Sequence, residues 1–372
     1  MTLLFWSSLS IVFFTYAGYP ICLYLRARFW PRPVRRGSAL PSVTILMAVH
    51  NEEKYLPAKL QSLAHIEYPA DRLEIVVVSD GSTDASNEIL AARENPPLHA
   101  MILHEQGGKA IALNHGLAAA HGEVIVFTDA RQIIASEALK HMVANLADPS
   151  VGCVSGELMI GQSEASAAQG VGLYWRMEKK IRHWEGLFGS TVGATGALYA
   201  VRKNLISPLP PGTILDDVYI PLQVVRQGLR VVFEPRALAF DPLTPDPKQE
   251  FRRKLRTLIG NYQLLQLAPW VLTRPNPLRW QFVCHKLLRL LVPFALVGML
   301  ASTLWLRKDV YELALVLQLA FYALASLRLF PLKFGIVSRL SDVSLAFLVL
   351  NSAAAVAFLY FITGKKAIWS RT

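Results

Sequence analysis

Residues 73–84 read LEIVVVSDGSTD. An unbroken β-branched run, Ile75 to Val78, goes directly into Ser79-Asp80-Gly81. A run that is apolar at consecutive positions suits a strand buried on both faces, as in a parallel sheet covered by helices. The same pattern recurs at Val43–Val49, which runs into His50-Asn51-Glu52-Glu53, and at Glu123–Thr128, which runs into Asp129-Ala130-Arg131. Ala100–His104 reads as a further strand. Each is followed by a helical pattern, over Glu52–Leu63, Asp84–Ala92, Lys109–Ala120 and Ser136–Leu146. Strands alternating with helices predict an α/β domain with right-handed crossovers, a parallel sheet and helices on both faces.

Three polar clusters follow three of these strands, so they share one edge of the sheet. Open α/β sheets bind ligands beyond that edge. Helix capping accounts for Ser82, Thr83 and Asp84. It does not account for buried strands that run straight into Asp80 and Asp129. Gln106-Gly107-Gly108-Lys109 lacks the full phosphate-loop spacing; it reads as a turn delivering Lys109 to a phosphate, or as a plain helix start. Leu215-Asp216-Asp217-Val218 reads as a helix start, where an acidic pair either complements the macrodipole or does chemistry. His50, His104, His115 and His121 share no ligand spacing and read as non-catalytic.

Composition places this domain beside a membrane. The 372 residues are 53% hydrophobic and 17% charged, with mean hydropathy +0.33 and a net charge of +11. These values exclude a disordered chain, a collagen, a coiled coil and a purely soluble enzyme. The three cysteines, Cys22, Cys153 and Cys284, are scattered, which fits a reducing compartment and argues against a disulfide framework. The basic residues cluster beside apolar runs rather than in an aromatic-basic groove, which argues against nucleic acid as a partner.

Leu3 to Leu25 carries no charge and is followed by Arg26, Arg28, Arg32, Arg35 and Arg36. That order predicts an uncleaved anchor with the following chain cytoplasmic. Leu290–Leu306, Leu313–Leu327 and Val343–Thr363 are three more candidate crossings. Three crossings put the tail with Lys365, Lys366 and Arg371 outside, against the positive-inside tendency; either the bias is weak there or one run is re-entrant. Tyr174, Trp175, Trp184 and Phe188 alternate with Arg176, Lys179, Lys180, Arg182 and His183. The mixture reads as an amphipathic helix on the bilayer surface, or as a core helix with a solvated basic face.

Taken together, VTILMAVHNEE, IVVVSDGSTD, GGKAIALNHG, VIVFTDA, ILDDVYIPLQVVRQGLRVVFEP and QEFRRKLRTLIGNYQ resemble the membrane-bound inverting glycosyltransferases of family 2, the group of cellulose, hyaluronan and poly-N-acetylglucosamine synthases. The resemblance covers about residues 41 to 270. It implies a GT-A nucleotide-sugar fold, Rossmann-like with a parallel-core sheet, plus transmembrane helices. The implied organisation is an anchor over residues 1–26, a cytosolic domain over 37–248, interfacial helices over 249–280 and about three membrane helices over 287–363.

It also implies roles. Asn51 and Glu52 match the loop that cups the nucleoside, and Asp80 the carboxylate that contacts uracil or ribose. Lys109 matches the lysine of the GKxxALN segment. Asp129 matches the first aspartate of the DxD motif, which contacts the donor and a divalent cation, Mg²⁺ or Mn²⁺. Asp216-Asp217 match the pair whose second member is the catalytic base. Gln249 and Arg252 match the start of QxxRW, beside the donor diphosphate and the acceptor.

Two positions depart from the pattern. Arg131 replaces the second aspartate of DxD; it cannot ligate a cation but offers a fixed charge to the diphosphate. Arg253 replaces the tryptophan of QxxRW, which argues for adding one or a few sugars. Arg252, Arg253, Lys254 and Arg256 suit both the leaving group and anionic lipid headgroups, with Arg252 favoured for the site and Lys254 and Arg256 for the membrane. Gly193–Ala197 suits close approach of an acceptor, or an ordinary turn. The expected function is sugar transfer from a nucleotide sugar, UDP-linked on the resemblance, to a glycan or lipid-linked acceptor at the cytoplasmic membrane, in polysaccharide synthesis. Transfer to polyprenyl phosphate, or a non-catalytic subunit of an export complex, are the other readings. A homo-oligomer or an export partner is compatible with so few crossings.

Overall fold

The computed structural model describes residues 1–92, 98–161, 173–242, 247–327 and 335–364. Eight strands form one sheet: β1 (Val43–Val49), β2 (Leu73–Asp80), β3 (His99–Leu103), β4 (Val124–Thr128), β5 (Ile133–Ile134), β6 (Val151–Ile160), β7 (Leu198–Arg202) and β8 (Arg230–Asp241). Their order is β3-β2-β1-β4-β7-β6-β8-β5. The helices that matter below are α1 (Thr2–Phe29), α2 (Leu56–Ala64), α3 (Ser86–Ala91), α4 (Lys109–Ala119), α5 (Ala138–Leu146), α6 (Leu173–Phe188), α7 (Asp216–Arg226), α8 (Pro247–Leu267), α9 (Arg279–Trp305), α10 (Asp309–Ser326) and α11 (Gly335–Ile362).

The first four strands pair in parallel, as the alternation predicts. The second half corrects the parallel reading. β7 runs antiparallel to both β4 and β6, and β5 antiparallel to β8, so the sheet is mixed. A parallel neighbour requires its connection to return to the starting edge. Here α6 and the Gly189–Ala197 segment bring the chain back in where β6 left. In the β4–β7 pair Thr128 faces Leu198. The residues before β7 therefore arrive at the same edge as those after β4. β6 pairs in parallel with β8, Ile160 facing Asp241, which brings Asp241 to that edge too.

Alternation along the strands builds two apolar layers. Val43, Ile45, Met47 and Val49 pack with Leu56, Leu60 and Leu63 of α2 and Leu139 and Met142 of α5. Leu46, Val76 and Val78 face the other way, against Ala112 and Leu113 of α4 and Ile220 and Val224 of α7. Each fully buried aliphatic side chain contributes about 1.5–3 kcal/mol, so the edge loops rest on a rigid base.

Four helices are long and apolar enough to cross a membrane: Thr2–Phe29, Arg279–Trp305, Asp309–Ser326 and Leu340–Ile362. They coincide with the four apolar runs of the sequence. Arg328, Lys333, Lys365, Lys366 and Arg371, on which the orientation of the last crossings depends, lie outside the described residues. α1 packs on α9, and α8 on α11. α6 packs between α1 and β8, with Ile181 and Phe188 buried against Tyr19, Leu23 and Cys284. It is thus wedged between the apolar helix α1 and the sheet, while Arg176 and Lys180 stay exposed. The Tyr174 and Trp175 side chains lie outside the described residues.

Candidate active site

Two loops at the sheet edge are stapled by side chains from the first strands. Asn51 holds φ +55°, a left-handed conformation that asparagine tolerates better than most residues. Its Oδ1 accepts from Thr83 N at 2.8 Å, and its own N donates to Ser82 Oγ at 3.2 Å. Glu52 N donates to Ser86 Oγ. Burial and then the Asp129 charge push the Glu52 carboxyl up to about 7. His50 Nδ1 meets the Asp80 carbonyl at 2.7 Å, a structural contact.

Asp80 does something the sequence did not suggest. Its two carboxylate oxygens accept from Gly107 N and Gly108 N, both at 2.8 Å, and the residue is 1% exposed. Gly81 approaches this loop so closely that a Cβ there would lie 2.5 Å from Gln106 N, and Gly108 holds φ +93°. Asp80 is therefore the clasp of the glycine turn, and the turn starts α4 at Lys109.

Lys109 joins Asp129, after β4, to the acidic pair at the start of α7. Its Nζ lies 2.9 Å from Asp129 Oδ1 and 3.1 Å from Asp216 Oδ1. Burial alone would lower this lysine, but Asp129 and Asp216 outweigh it and hold it above its ordinary range. Burial likewise opposes the Asp129 charge, yet Lys109, Arg256 and Lys59 together keep that carboxyl below its ordinary range. Asp216 Oδ2 accepts from Tyr199 OH at 3.2 Å. Asp217 Oδ2 accepts from Gly196 N at 3.1 Å, and its carbonyl accepts from Ala194 N at 2.7 Å. The Gly193–Ala197 turn thus cradles Asp217. A Cβ on Gly196 would stand 3.3 Å from Asp217 Oδ2. Burial first and the Asp216 charge second push Asp217 up to about 6, against Lys109, Lys286 and Arg182.

A model of the family described as "Glycosyl transferase family 2" matches residues 44–207, the stretch that contains Asp80, Lys109 and Asp129. The chain carries a family 2 glycosyltransferase domain. It is similar to the probable glycosyltransferase YdaM of Bacillus subtilis (strain 168), 26% identical over 237 residues, 60% of this chain and 56% of that one. It is also similar to the poly-beta-1,6-N-acetyl-D-glucosamine synthase of Staphylococcus aureus (strain COL), 24% identical over 232 residues, with 61% and 56% covered. The matched region spans about half the length of these relatives. The mannosyltransferase PcManGT from Pyrobaculum calidifontis, solved with GDP-Man and Mn²⁺, superposes with a TM-score of 0.75 at 23% identity over 97% of this chain and 99% of that one. The likeness shows a shared GT-A-like fold.

The two departures from the family pattern meet on one carboxylate. Arg131 Nη2 donates to Asp241 Oδ2 at 2.8 Å, and Arg253 Nη1 lies 3.8 Å from the same oxygen. Gln132 Nε2 adds a bond at 3.3 Å. Arg131 is therefore an ion-pair partner in this glycosyltransferase domain, because the β8 terminus brings buried Asp241 to it. Arg252 is exposed, and Arg256, one turn on, is the helix arginine whose charge helps hold Asp129 ionised. The Gln249 side chain lies outside the described residues.

A divalent cation shared with substrate phosphates needs only one or two protein carboxylates. Asp129 supplies one at the edge, and among the described residues no three His, Cys, Asp or Glu side chains gather into a cage. Asp129 is thus the one matched carboxylate through which such a cation would be held, and Lys109 now pairs with it.

Sequence reasoning missed Lys59. It lies on the inward face of α2 and is fully buried, with Nζ donating to Thr128 Oγ1 and to the Gln132 carbonyl, each at 2.7 Å. It braces both flanks of Asp129. Burial lowers it to about 7, with Asp129 opposing. The available signal was a lysine in register with Leu56, Leu60 and Leu63, on a stripe that otherwise faces the core.

Proposed function

We propose that this protein transfers a sugar, with inversion, from a nucleotide sugar to a glycan or lipid-linked acceptor at the cytoplasmic membrane, in polysaccharide synthesis. One observation carries the reading: Lys109 ties Asp129 to Asp216, beside Asp217, at the carboxyl edge of the sheet. Inversion is a single displacement at the anomeric carbon. The acceptor hydroxyl attacks from the face opposite the leaving diphosphate and gives its proton to a base, a contribution of ~10²–10⁴-fold. Asp217 is the base in this reading. Its raised carboxyl is poised near neutral pH, and the backbone donors Ala194 N and Gly196 N fix its orientation.

The leaving diphosphate gathers negative charge as the glycosidic bond breaks. Lys109 is the preorganised cation that meets it. Asp129 is the residue that would hold a divalent cation, which when bound would neutralise the diphosphate. Asn51 and Glu52 lie on the loop assigned to the nucleoside. Asp80 acts on the donor through the glycine turn rather than by contact in this arrangement.

The four apolar helices support a multi-pass membrane protein, and Arg26 to Arg36 after the first support a cytosolic domain. Cysteine at exposed Ser38, in a variant lacking Cys22, resists impermeant thiol reagents in whole cells and reacts after permeabilisation; labelling in intact cells overturns this orientation. The function is tested with a donor panel. Purified protein in detergent is given UDP-sugars and GDP-mannose, and diphosphate release is measured with and without lipid extract. Acceptor-dependent release from one donor is expected, and its absence from all of them overturns the reading.

A further inference from the structure

A buried ionic cluster joins the membrane helices to the domain, and the chemistry above makes no use of it. His285 lies in a π-helical turn, Val283–Leu287, within α9, and is 2% exposed. Its Nε2 is 2.8 Å from Glu178 Oε1 and its Nδ1 2.9 Å from Glu185 Oε1. Glu178 and Glu185 stand two turns apart on one face of α6. Tyr19 OH of α1 donates to Glu185 Oε1 at 2.5 Å, and Arg289 Nη1 donates to Glu178 Oε2 at 2.7 Å. Three helices, α1, α6 and α9, are therefore locked in one register by five side chains.

Burying such charges is costly, and apolar side chains of equal volume pack as stably. What an ionic cluster adds is register: only one arrangement pairs every group. π-turns likewise occur often at functional positions. Two paths run from the cluster to Asp217. The polar path starts at Glu185 Oε2, which accepts from Val192 N at 3.4 Å. Two residues on, Ala194 N donates to the Asp217 carbonyl, and Gly196 N then donates to its carboxylate. The apolar path starts at Phe282, one turn before His285. It packs in a single cluster with Val192 and with Leu215 and Val218, which bracket Asp216 and Asp217.

We infer that Glu178, His285 and Glu185 are positioning residues that hold the Asp217 turn against the membrane helices and so set the base relative to an acceptor arriving along them. The inference rests on the reading of Asp217 as the base. The cluster touches neither Asp129 nor the nucleoside loop, so it governs turnover and leaves donor binding alone.

The test uses the full chain in detergent and the donor that supports turnover in the panel. His285→Gln and Glu185→Leu lower kcat about 10–100-fold, the scale of a small misplacement of a reacting group. Donor KM and the affinity for UDP and GDP stay within about twofold. Glu185→Gln, which keeps one of the two acceptor oxygens and the side-chain shape, retains more of the rate than Glu185→Leu. Tyr19→Phe, which removes a single bond, lowers kcat severalfold and serves where a harsher variant does not fold. Variants that melt like the parent and keep its kcat overturn the inference, and so does parallel loss of donor affinity and kcat. Asp217→Asn separates the two readings. If it retains turnover, the base assignment falls whatever His285 does. If it is inactive while the cluster variants turn over normally, only the positioning role falls.

Discussion

Lys109 Nζ stands between Asp129 Oδ1 and Asp216 Oδ1, at 2.9 and 3.1 Å, so one ammonium links the end of β4 to the start of α7. Replacing it with methionine leaves two carboxylates facing each other around an apolar chain and removes the cation proposed to meet the diphosphate. Lys109→Met should lower kcat/KM at least ~10²-fold, the cost of losing one preorganised charge-stabilising group. Initial rates of diphosphate release check this. A variant within fivefold of the parent would show that Lys109 is a structural tie only.

The Asp217 carboxyl is pushed up to about 6, and it works as a base only when ionised. The rate should therefore climb with pH through about 6 and fall tenfold per unit below it. Asp216→Asn removes a charge that raises Asp217, so its acidic limb should move to lower pH. Lys109→Met removes a charge that lowers it, so that limb should move up. Opposite displacements in the two kcat–pH profiles are the signature. A limb near the ordinary carboxylate value in the parent rules out Asp217 as the titrating base.

The site was legible in the sequence to the extent that local pattern reports sheet edges. Ile75–Val78 running into Asp80, and the β4 run ending at Asp129, placed both aspartates correctly because strand direction alone fixes that edge. What the pattern could not carry was pairing between distant segments. Asp241 meets Arg131 only because β8 lies beside β6 in parallel, a register no local motif encodes. The same holds for the antiparallel β7, which delivers Gly196 to Asp217. Asp80 was assigned to the nucleoside by its place in a motif, which gave no sign that its carboxylate also accepts from Gly107 and Gly108, a loop contact across 27 residues.

Lys59 offers a test of the donor side. Its two bonds, to Thr128 Oγ1 and the Gln132 carbonyl, brace the segment that carries Asp129. Lys59→Met keeps the length of the side chain and removes the desolvated ammonium, so the fold should survive. The Asp129 segment loses its staple and a nearby positive charge. Donor KM should rise several-fold with kcat changed less, the reverse of the split expected for Asp217 variants. Unchanged donor KM in a folded Lys59→Met protein would confine this lysine to the core.

Arg131 supplies the sharpest contrast between motif and structure. Arg131→Asp restores the family's DxD pattern, and motif logic alone predicts a better cation site. Geometry predicts the opposite. The Asp241 side chain is 4% exposed, and its partners include Arg131 at 2.8 Å, Gln132 at 3.3 Å and Arg253 at 3.8 Å. A new carboxylate there faces a buried one with the Arg131 charge gone. Because Gln132 and Arg253 remain, the loss should be about 1–3 kcal/mol, below the full cost of stranding a buried charge. Thermal unfolding in detergent should show Arg131→Asp less stable than the parent, with no gain in donor affinity. Arg131→Asp combined with Asp241→Asn removes the repulsion and should recover most of the stability. A single Arg131→Asp variant as stable as the parent would mean that Asp241 is held by other groups.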